Sequence, residues 1–291
     1  MRVAKWKDYE LIDTFNGQRL ERWGNIILIR PDPQIIWSKT PKSPLWKKAH
    51  AIYHRSNTGG GHWEILRKVP DCWNINYKNL CFNLKMMGFK HTGVFPEQAV
   101  NWDFIADKTF NSQKDLKVLN LFAYTGAATL AAAAARAEVC HVDASKGMVL
   151  WAKENAKSSN LTDKPVRWLV DDCIKFVERE KRRGNKYHGI IMDPPSYGRG
   201  PGGEVWKLEE KLFSLVKLCC DILEENAEFF ILNSYTTGLS PSVMEYLLGI
   251  TIKSKFGGFV SSSEIGLPVT SHNLVLPCGS TAIREAKSSF K

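Results

Sequence analysis

Val118-Leu119-Asn120-Leu121-Phe122-Ala123-Tyr124-Thr125-Gly126-Ala127 runs an apolar strand into a tight turn and opens a helix. The Ala-rich stretch that follows suits a helix lying close on a sheet, because small side chains let the two approach. At such a junction backbone N–H groups and the positive helix end can hold an anionic group. The fingerprint G-x-G-x-x-G is absent and Gly126 alone remains, which leaves little room for a pyrophosphate. A plain strand–turn–helix is the competing reading.

The same unit recurs downstream. Strands are predicted at 117–122, 138–143, 166–170, 187–193, 228–235, 258–265 and 273–277. Helical spacing fills the gaps between the first six, at 127–137, at 145–159, around Ile174, Phe176 and Val177 up to Gly184, at 208–223 and at 240–248. Continuous apolar strands alternating with helices imply an α/β fold with a mostly parallel, doubly wound sheet. No helical pattern separates the last two strands, which predicts an antiparallel excursion at one edge.

Residues 3–90 read differently. Short apolar or aromatic runs at 25–29, 34–37, 51–54 and 62–66, broken by turn residues, predict a small β-rich domain. Thr58-Gly59-Gly60-Gly61 reads as a hairpin turn, since no helix pattern follows it to make a phosphate loop. The expected division is 1–90 and 91–291.

Charge divides along the same line. Residues 1–94 hold 16 Lys and Arg against 7 Asp and Glu, and the rest of the chain is nearly balanced, with 24 against 23. A basic excess attracts polyanions such as RNA, with a solvated surface as the competing reading. Lys42, Lys47, Lys48, Arg55, Arg67 and Lys68 stand among Trp37, Trp46, Trp63 and Trp73, a mixture that suits single-stranded RNA. Most of those tryptophans are expected to be core. No apolar run approaches the roughly 20 residues of a membrane helix, and the N-terminus has no signal-peptide pattern. Seven cysteines without a C-x-x-C pair argue against disulfides or zinc and for a reducing, cytoplasmic compartment.

The second strand ends Val139-Cys140-His141-Val142-Asp143, before Ala144 and Ser145. An acid at this place accepts from ribose hydroxyls, with capping of the next helix as the alternative. The third ends in Asp171-Asp172-Cys173. Asp172 is assigned to an adenine amine, with the Cys173 backbone donating to the ring; Asp171 competes for the role, and capping can coexist with it. The fourth reads Ile190-Ile191-Met192-Asp193-Pro194-Pro195-Ser196-Tyr197-Gly198. Two prolines cannot continue a central strand, so the chain leaves as a stiff loop at the ligand-binding edge. A carboxylate at its root and an aromatic near its tip suit a flat base, held by Asp193 and the following carbonyls and stacked on Tyr197.

These four junctions, in this order, resemble class I S-adenosylmethionine-dependent methyltransferases with a Rossmann-like sheet of seven strands, the last one antiparallel. Leu119–Gly126, Asp171–Phe176 and Asp193–Tyr197 resemble the bacterial group that contains the large-subunit ribosomal RNA methyltransferases. The segment 91–98 is similar to the stretch that covers the cofactor there, and Leu276–Ser280 to its closing strand. The resemblance implies S-adenosylmethionine as cofactor, bound by Phe95, Gln98, Asn120, Phe122, Tyr124, Thr125, Gly126, Ala127, Asp143, Ala144, Ser145, Asp171, Asp172, Cys173 and Asp193. It implies chemistry at Asp193, Pro194, Pro195 and Tyr197, ribosomal RNA as partner, and no metal. The cysteine that C5 methylation of cytosine requires is missing after the fourth strand and at the end of the fifth, so transfer to a nitrogen is expected. Competing readings are a small-molecule or protein methyltransferase, a nucleotide-dependent oxidoreductase disfavoured by the missing glycines, and a non-catalytic RNA-binding protein disfavoured by the intact junctions.

Overall fold

The structure is a computed structural model that describes residues 1–287 apart from Lys39, residues 57–59, Pro201 and Thr237. Two compact units emerge, Met1–Ala99 with Gly266–Cys278 and Val100–Ile265 with Gly279–Lys291. The expected boundary at 90 therefore moves to 99, and a late segment returns to the first unit. The returning segment is built by the last two strands, which are too long to stay in one unit.

In the first unit β1 (Tyr9–Phe15), β2 (Gln18–Trp23) and β3 (Ile26–Pro31) pair antiparallel in sequence. Asn16 and Gly17 both take positive φ, the geometry of a tight hairpin turn. β4 (Ala51–Arg55) lies parallel to β3 and pairs antiparallel with β5 (Gly61–Ile65). The predicted Thr58-Gly59 turn between them lies outside the described residues. β6 (Trp73–Tyr77) and β7 (Leu80–Leu84) form a separate hairpin.

The strand expected at 34–37 does not form. Asp32 accepts from Gln34 N through Oδ1 and from Ile35 N through its carbonyl, so its turn captures the donors a ladder would need. The tryptophans do pack inward. Trp37, Trp46, Trp63 and Trp73 are half-buried, and each indole N–H donates to a protein acceptor.

The second unit begins with α1 (Ala99–Asn111), a helix that the apolar pattern does not predict. Then come β8 (Lys117–Leu121), α2 (Ala127–Ala134), β9 (Glu138–Asp143), α3 (Lys146–Ser158), β10 (Val166–Val170), α4 (Cys173–Arg183) and β11 (Gly189–Met192). β12 (Tyr197–Arg199), β13 (Val205–Lys207), α5 (Leu208–Cys219), β14 (Phe229–Ser234), α6 (Pro241–Leu248), β15 (Phe259–Val269) and β16 (Leu274–Glu285) complete the chain. Strands run in the order β10-β9-β8-β11-β14-β16-β15, parallel except for β16, which lies antiparallel to β14. The pairing part of β16 is Ser280–Glu285, so the strand extends well beyond the expected 273–277.

Both faces of this sheet are covered. Val118, Val139, Ile191, Phe229 and Ile231 pack with Ile105 of α1 and Ala132 and Ala133 of α2. Their neighbours Leu119, Val142, Ile190, Phe230 and Leu232 pack on the other side with Phe176, Leu212, Val216 and Met244 of α4, α5 and α6. Side chains alternate along a strand, so apolar residues at consecutive positions dictate a sheet buried on both faces.

Asp13 organises the first unit. It is fully buried; Oδ2 accepts from Lys42 N at 2.8 Å, Ser43 N at 3.0 Å and Trp46 Nε1 at 2.9 Å, and Oδ1 from Ser271 Oγ at 2.6 Å. Burial pushes its pKa up, but the Ser271 and Trp46 side chains and the Ser43 and Lys42 N–H groups outweigh that and bring it from 3.8 to about 2. A lowered folded value means stability that is present above the unfolded pKa and lost as pH falls through the folded one, worth about 2 kcal/mol. Urea midpoints should therefore decline between 3.8 and about 2, and Asp13→Ala should remove about 3 kcal/mol at neutral pH by orphaning buried donors.

Candidate active site

β8 lies between β9 and β11, so the chain order reverses there and the ends of β8, β9, β10 and β11 share the carboxyl edge where open sheets bind ligands. After β8, Phe122, Tyr124 and Gly126 take φ of 54°, 51° and 86°. Left-handed residues in alternation make a tight turn into α2, and the N–H groups of Ala123 and Gly126 are closed by Val142 O and Ala123 O, so the donors left for an anion are those of the first turn of the helix. Two of the three carry a side chain, and that strain costs about 1–3 kcal/mol each, so the surroundings must hold it in place.

They do so through named contacts. Phe122 N donates to Cys173 Sγ at 3.3 Å and Tyr124 N to Asp143 Oδ2 at 2.8 Å. Beneath the turn, Asn120 Nδ2 donates to Thr129 Oγ1 at 3.0 Å, and that oxygen meets His141 Nδ1 at 2.9 Å. Asn155 Nδ2 donates to Thr125 O at 2.9 Å. His141 is fully buried, and burial brings its pKa down to about 3, so the ring is neutral. The Asn120 side chain is thus spent on support under the turn.

Asp143 spans two junctions, because its Oδ1 also accepts from Ser145 N at 2.8 Å. The cap of α3 is Ser145, whose Oγ accepts from Met148 N, so Asp143 is free of the capping role. Burial raises the Asp143 pKa, against the N–H groups of Ser145 and Tyr124. Asp172 does cap α4, through Lys175 N at 2.9 Å, while Asp171 is ion-paired with Arg179. Cys173 opens α4 with a buried thiol whose pKa burial raises far above its usual value. Its side chain is a structural link to Phe122, a role beyond the backbone contact expected of this residue.

The fourth junction differs from the expected stiff loop. After Asp193, half-buried at the end of β11, Pro194 and Pro195 lead into the β12–β13 hairpin, and Tyr197 is its first strand residue. Trp206 of β13 donates from Nε1 to Pro195 O at 2.6 Å, and its ring lies 4.9 Å from that of Phe122. Ser196 Oγ and Thr236 Oγ1 are 2.6 Å apart, which ties the loop to the exit of β14. A signal for this hairpin does exist in the sequence: Tyr-Gly-Arg and Val-Trp-Lys flank a glycine-rich turn. Phe95 and Gln98 belong to the first unit, at the 3₁₀ turn Pro96–Gln98, where Gln98 N donates to Phe95 O.

A doubly wound sheet with acidic residues at successive strand ends and a helix N-terminus at its switch point is an architecture that suits a nucleoside-containing ligand. Residues 45–212 match the family model of S-adenosylmethionine-dependent methyltransferases, and the chain belongs to that family. A solved S-adenosylmethionine-dependent methyltransferase from Agrobacterium tumefaciens is 36% identical, with a TM-score of 0.92 over 99% of this chain and 94% of that one. The ribosomal RNA large subunit methyltransferase K/L of Pseudoalteromonas atlantica is 31% identical over 204 residues, 69% of this chain and 27% of that protein. Its counterpart in Shewanella frigidimarina is 32% identical over 159 residues, 53% of this chain and 21% of that protein. The chain thus spans about a quarter of the length of these curated relatives. The enzyme is a methyltransferase with a Rossmann-like class I fold that uses S-adenosylmethionine.

The first junction yields a test. A Cβ on Gly126 would lie 2.9 Å from Ala152 Cβ, on a backbone that side chains avoid. Gly126→Ala should lower stability by about 1–3 kcal/mol in urea and weaken cofactor binding with it. Unchanged binding would place the anion elsewhere.

Proposed function

We propose that the chain transfers the methyl group of S-adenosylmethionine directly to a nitrogen of a base in ribosomal RNA. The carrying observation is the Asp193-Pro194-Pro195 exit, which leaves the sheet at the switch point and is pinned by Trp206 against the Phe122 turn. A base held there lies next to the cofactor junctions. The cofactor brings its own activated methyl and a sulfonium charge that is lost on transfer.

The chain's residues bind and align. The N-terminus of α2 at Ala127 receives the methionyl carboxylate, on a turn held in shape by the N–H groups of Phe122, Ala123, Tyr124 and Gly126, which are themselves taken by Cys173 Sγ, Val142 O, Asp143 Oδ2 and Ala123 O. Asp143 accepts from the ribose hydroxyls; each oxygen holds one N–H and keeps further acceptor capacity. Ala144 and Ser145 border that site. Asp172 and the Cys173 backbone take the adenine, with Asp171 held back by Arg179. Asp193 and the Pro194 carbonyl accept from the amine of the target base, Tyr197 stacks on it, and Pro195 stiffens the loop. The work is in-line alignment of nitrogen, methyl and sulfur.

Direct transfer is supported by the thiols. Burial raises the pKa of Cys140, to about 11, and also of Cys173, Cys219 and Cys220, so the second unit holds no activated cysteine among its described residues. An RNA substrate is supported by the basic first unit, where Lys47, Lys48, Arg67 and Lys68 are exposed, and by the names of the relatives. Free cysteines and an RNA substrate fit the cytoplasm.

Incubation of ribosomal RNA with labelled S-adenosylmethionine, followed by nucleoside mass spectrometry, tests the assignment; label on a small molecule or protein alone would overturn it. Asp143→Ala should weaken S-adenosylhomocysteine binding by about 1–3 kcal/mol in calorimetry. Because burial raises the Asp143 pKa and the ionised form binds, affinity should also fall on acidification. Asp193→Ala should abolish turnover while cofactor affinity stays within about threefold. Full activity in that variant would remove the loop from the mechanism.

A further inference from the structure

The hairpin after the double proline has two distinct faces. Tyr197 stands opposite Lys207, Gly198 opposite Trp206 and Arg199 opposite Val205. Side chains alternate across a strand, so Gly198 and Trp206 share one face and Tyr197, Arg199, Val205 and Lys207 the other. The first face is docked. Trp206 is 7% exposed, donates to Pro195 O and packs on Phe122. The turn of the hairpin is docked as well: Glu204 is ion-paired with Lys175 in the first turn of α4, and a Cβ on Gly200 would come within 3.1 Å of Asp172 Oδ2. The hairpin is therefore held at the first, third and fourth junctions, and its other face has a fixed position beside Asp193.

That other face is open. Tyr197 is 55% exposed and Val205 37%, and Arg199 and Lys207 are exposed. Arg199 has no ion-pair partner among the described residues. Lys207 pairs with Glu210 at 2.8 Å, but both are about half exposed, and a pair of that kind is worth about 0–1 kcal/mol, so a phosphate can displace it. Directly opposite residues lie about 5 Å apart, and residues two apart on one strand about 7 Å. One aromatic ring flanked by two cations at those distances matches a stacked base and its neighbouring phosphates.

We propose that the outward face of the β12–β13 hairpin grips single-stranded RNA around the target base, with Arg199 and Lys207 on the phosphates that flank the base stacked on Tyr197. This rests on the RNA-substrate reading. Trp206 is a positioning residue: its N–H on Pro195 keeps grip and catalytic loop in register.

The test begins with the wild-type protein, measured for methyl transfer to ribosomal RNA and for binding of a labelled single-stranded oligouridylate over a salt series. The double variant Arg199→Ala/Lys207→Ala should raise KM for ribosomal RNA at least about tenfold and flatten the log–log salt slope by about 1.4, at about 0.7 per lost phosphate contact. Its affinity for S-adenosylhomocysteine should stay within about twofold. Trp206→Phe keeps both cations but loses the N–H, so it should lower kcat more than it raises KM. If the wild-type enzyme methylates ribosomal RNA and the double variant keeps its KM and slope, the hairpin grip is wrong and the substrate reading stands. If the wild type neither binds the oligonucleotide nor methylates ribosomal RNA, the substrate reading falls and the grip falls with it.

Discussion

Burial of the catalytic sheet on both faces governs everything else in the second unit. Phe229, Phe230, Ile231 and Leu232 are consecutive and all fully buried, so both faces of β14 are apolar over this run and its polar residues, Asn233 and Ser234, come only at its end. Both faces are likewise apolar at Val118 and Leu119 and at Ile190 and Ile191. An unpaired polar group in such a core costs about 1–3 kcal/mol. Chemistry is thereby driven to the strand ends, where the apolar run stops: Phe122, Asp143, Asp171 and Asp193 all follow within one residue of a strand's last apolar position. The parallel arrangement then brings these ends to one edge, and the reversal of order at β8 opens space there.

Edge position alone does not make a site, because loops are the least restrained part of a chain. Here each junction is braced by a neighbour. Asp143 of the second holds Tyr124 of the first; Cys173 of the third holds Phe122 of the first; Trp206 packs on Phe122 and bonds the fourth. Phe122 and Tyr124 sit in a strained conformation that only such bracing maintains. The result is a set of strand-end turns held in fixed positions relative to one another.

Much of this architecture is legible in the amino-acid sequence. The positions of β9 and β10 follow directly from their apolar runs, and the end of α4 from Gly184. The departures have physical causes. Residues 34–37 have strand composition, but Asp32 sits two positions ahead and bends the backbone through its own carboxylate, a local competition that periodicity does not register. The closing strand runs later than its apolar pattern predicts, because Gly279 and Ser280 look like a strand end, whereas β16 continues to Glu285 by pairing with β14. For the site, residue type and order single out Asp143 and Asp193. They do not reveal Trp206, since an indole that reaches back across a hairpin to a proline carbonyl is a tertiary contact with no signature in spacing.

Two aspartates show why environment, not residue type, separates support from site. Asp13 and Asp143 both lie at low exposure in a β-sheet unit, and burial opposes the charge of each. Asp13 receives hydrogen bonds from three backbone amides, an indole and a hydroxyl, and its pKa drops to about 2. Its acceptor capacity is filled by the protein, which is how a structural carboxylate is stabilised. Asp143 receives two backbone N–H groups and its pKa rises. A carboxylate offers about four acceptor positions, so roughly half of its capacity is left for donors that the protein does not supply. A pair of vicinal hydroxyls supplies two. The folded chain thus leaves acceptor capacity at Asp143 that a pair of hydroxyls such as a ribose's would fill, whereas Asp13 has none to offer.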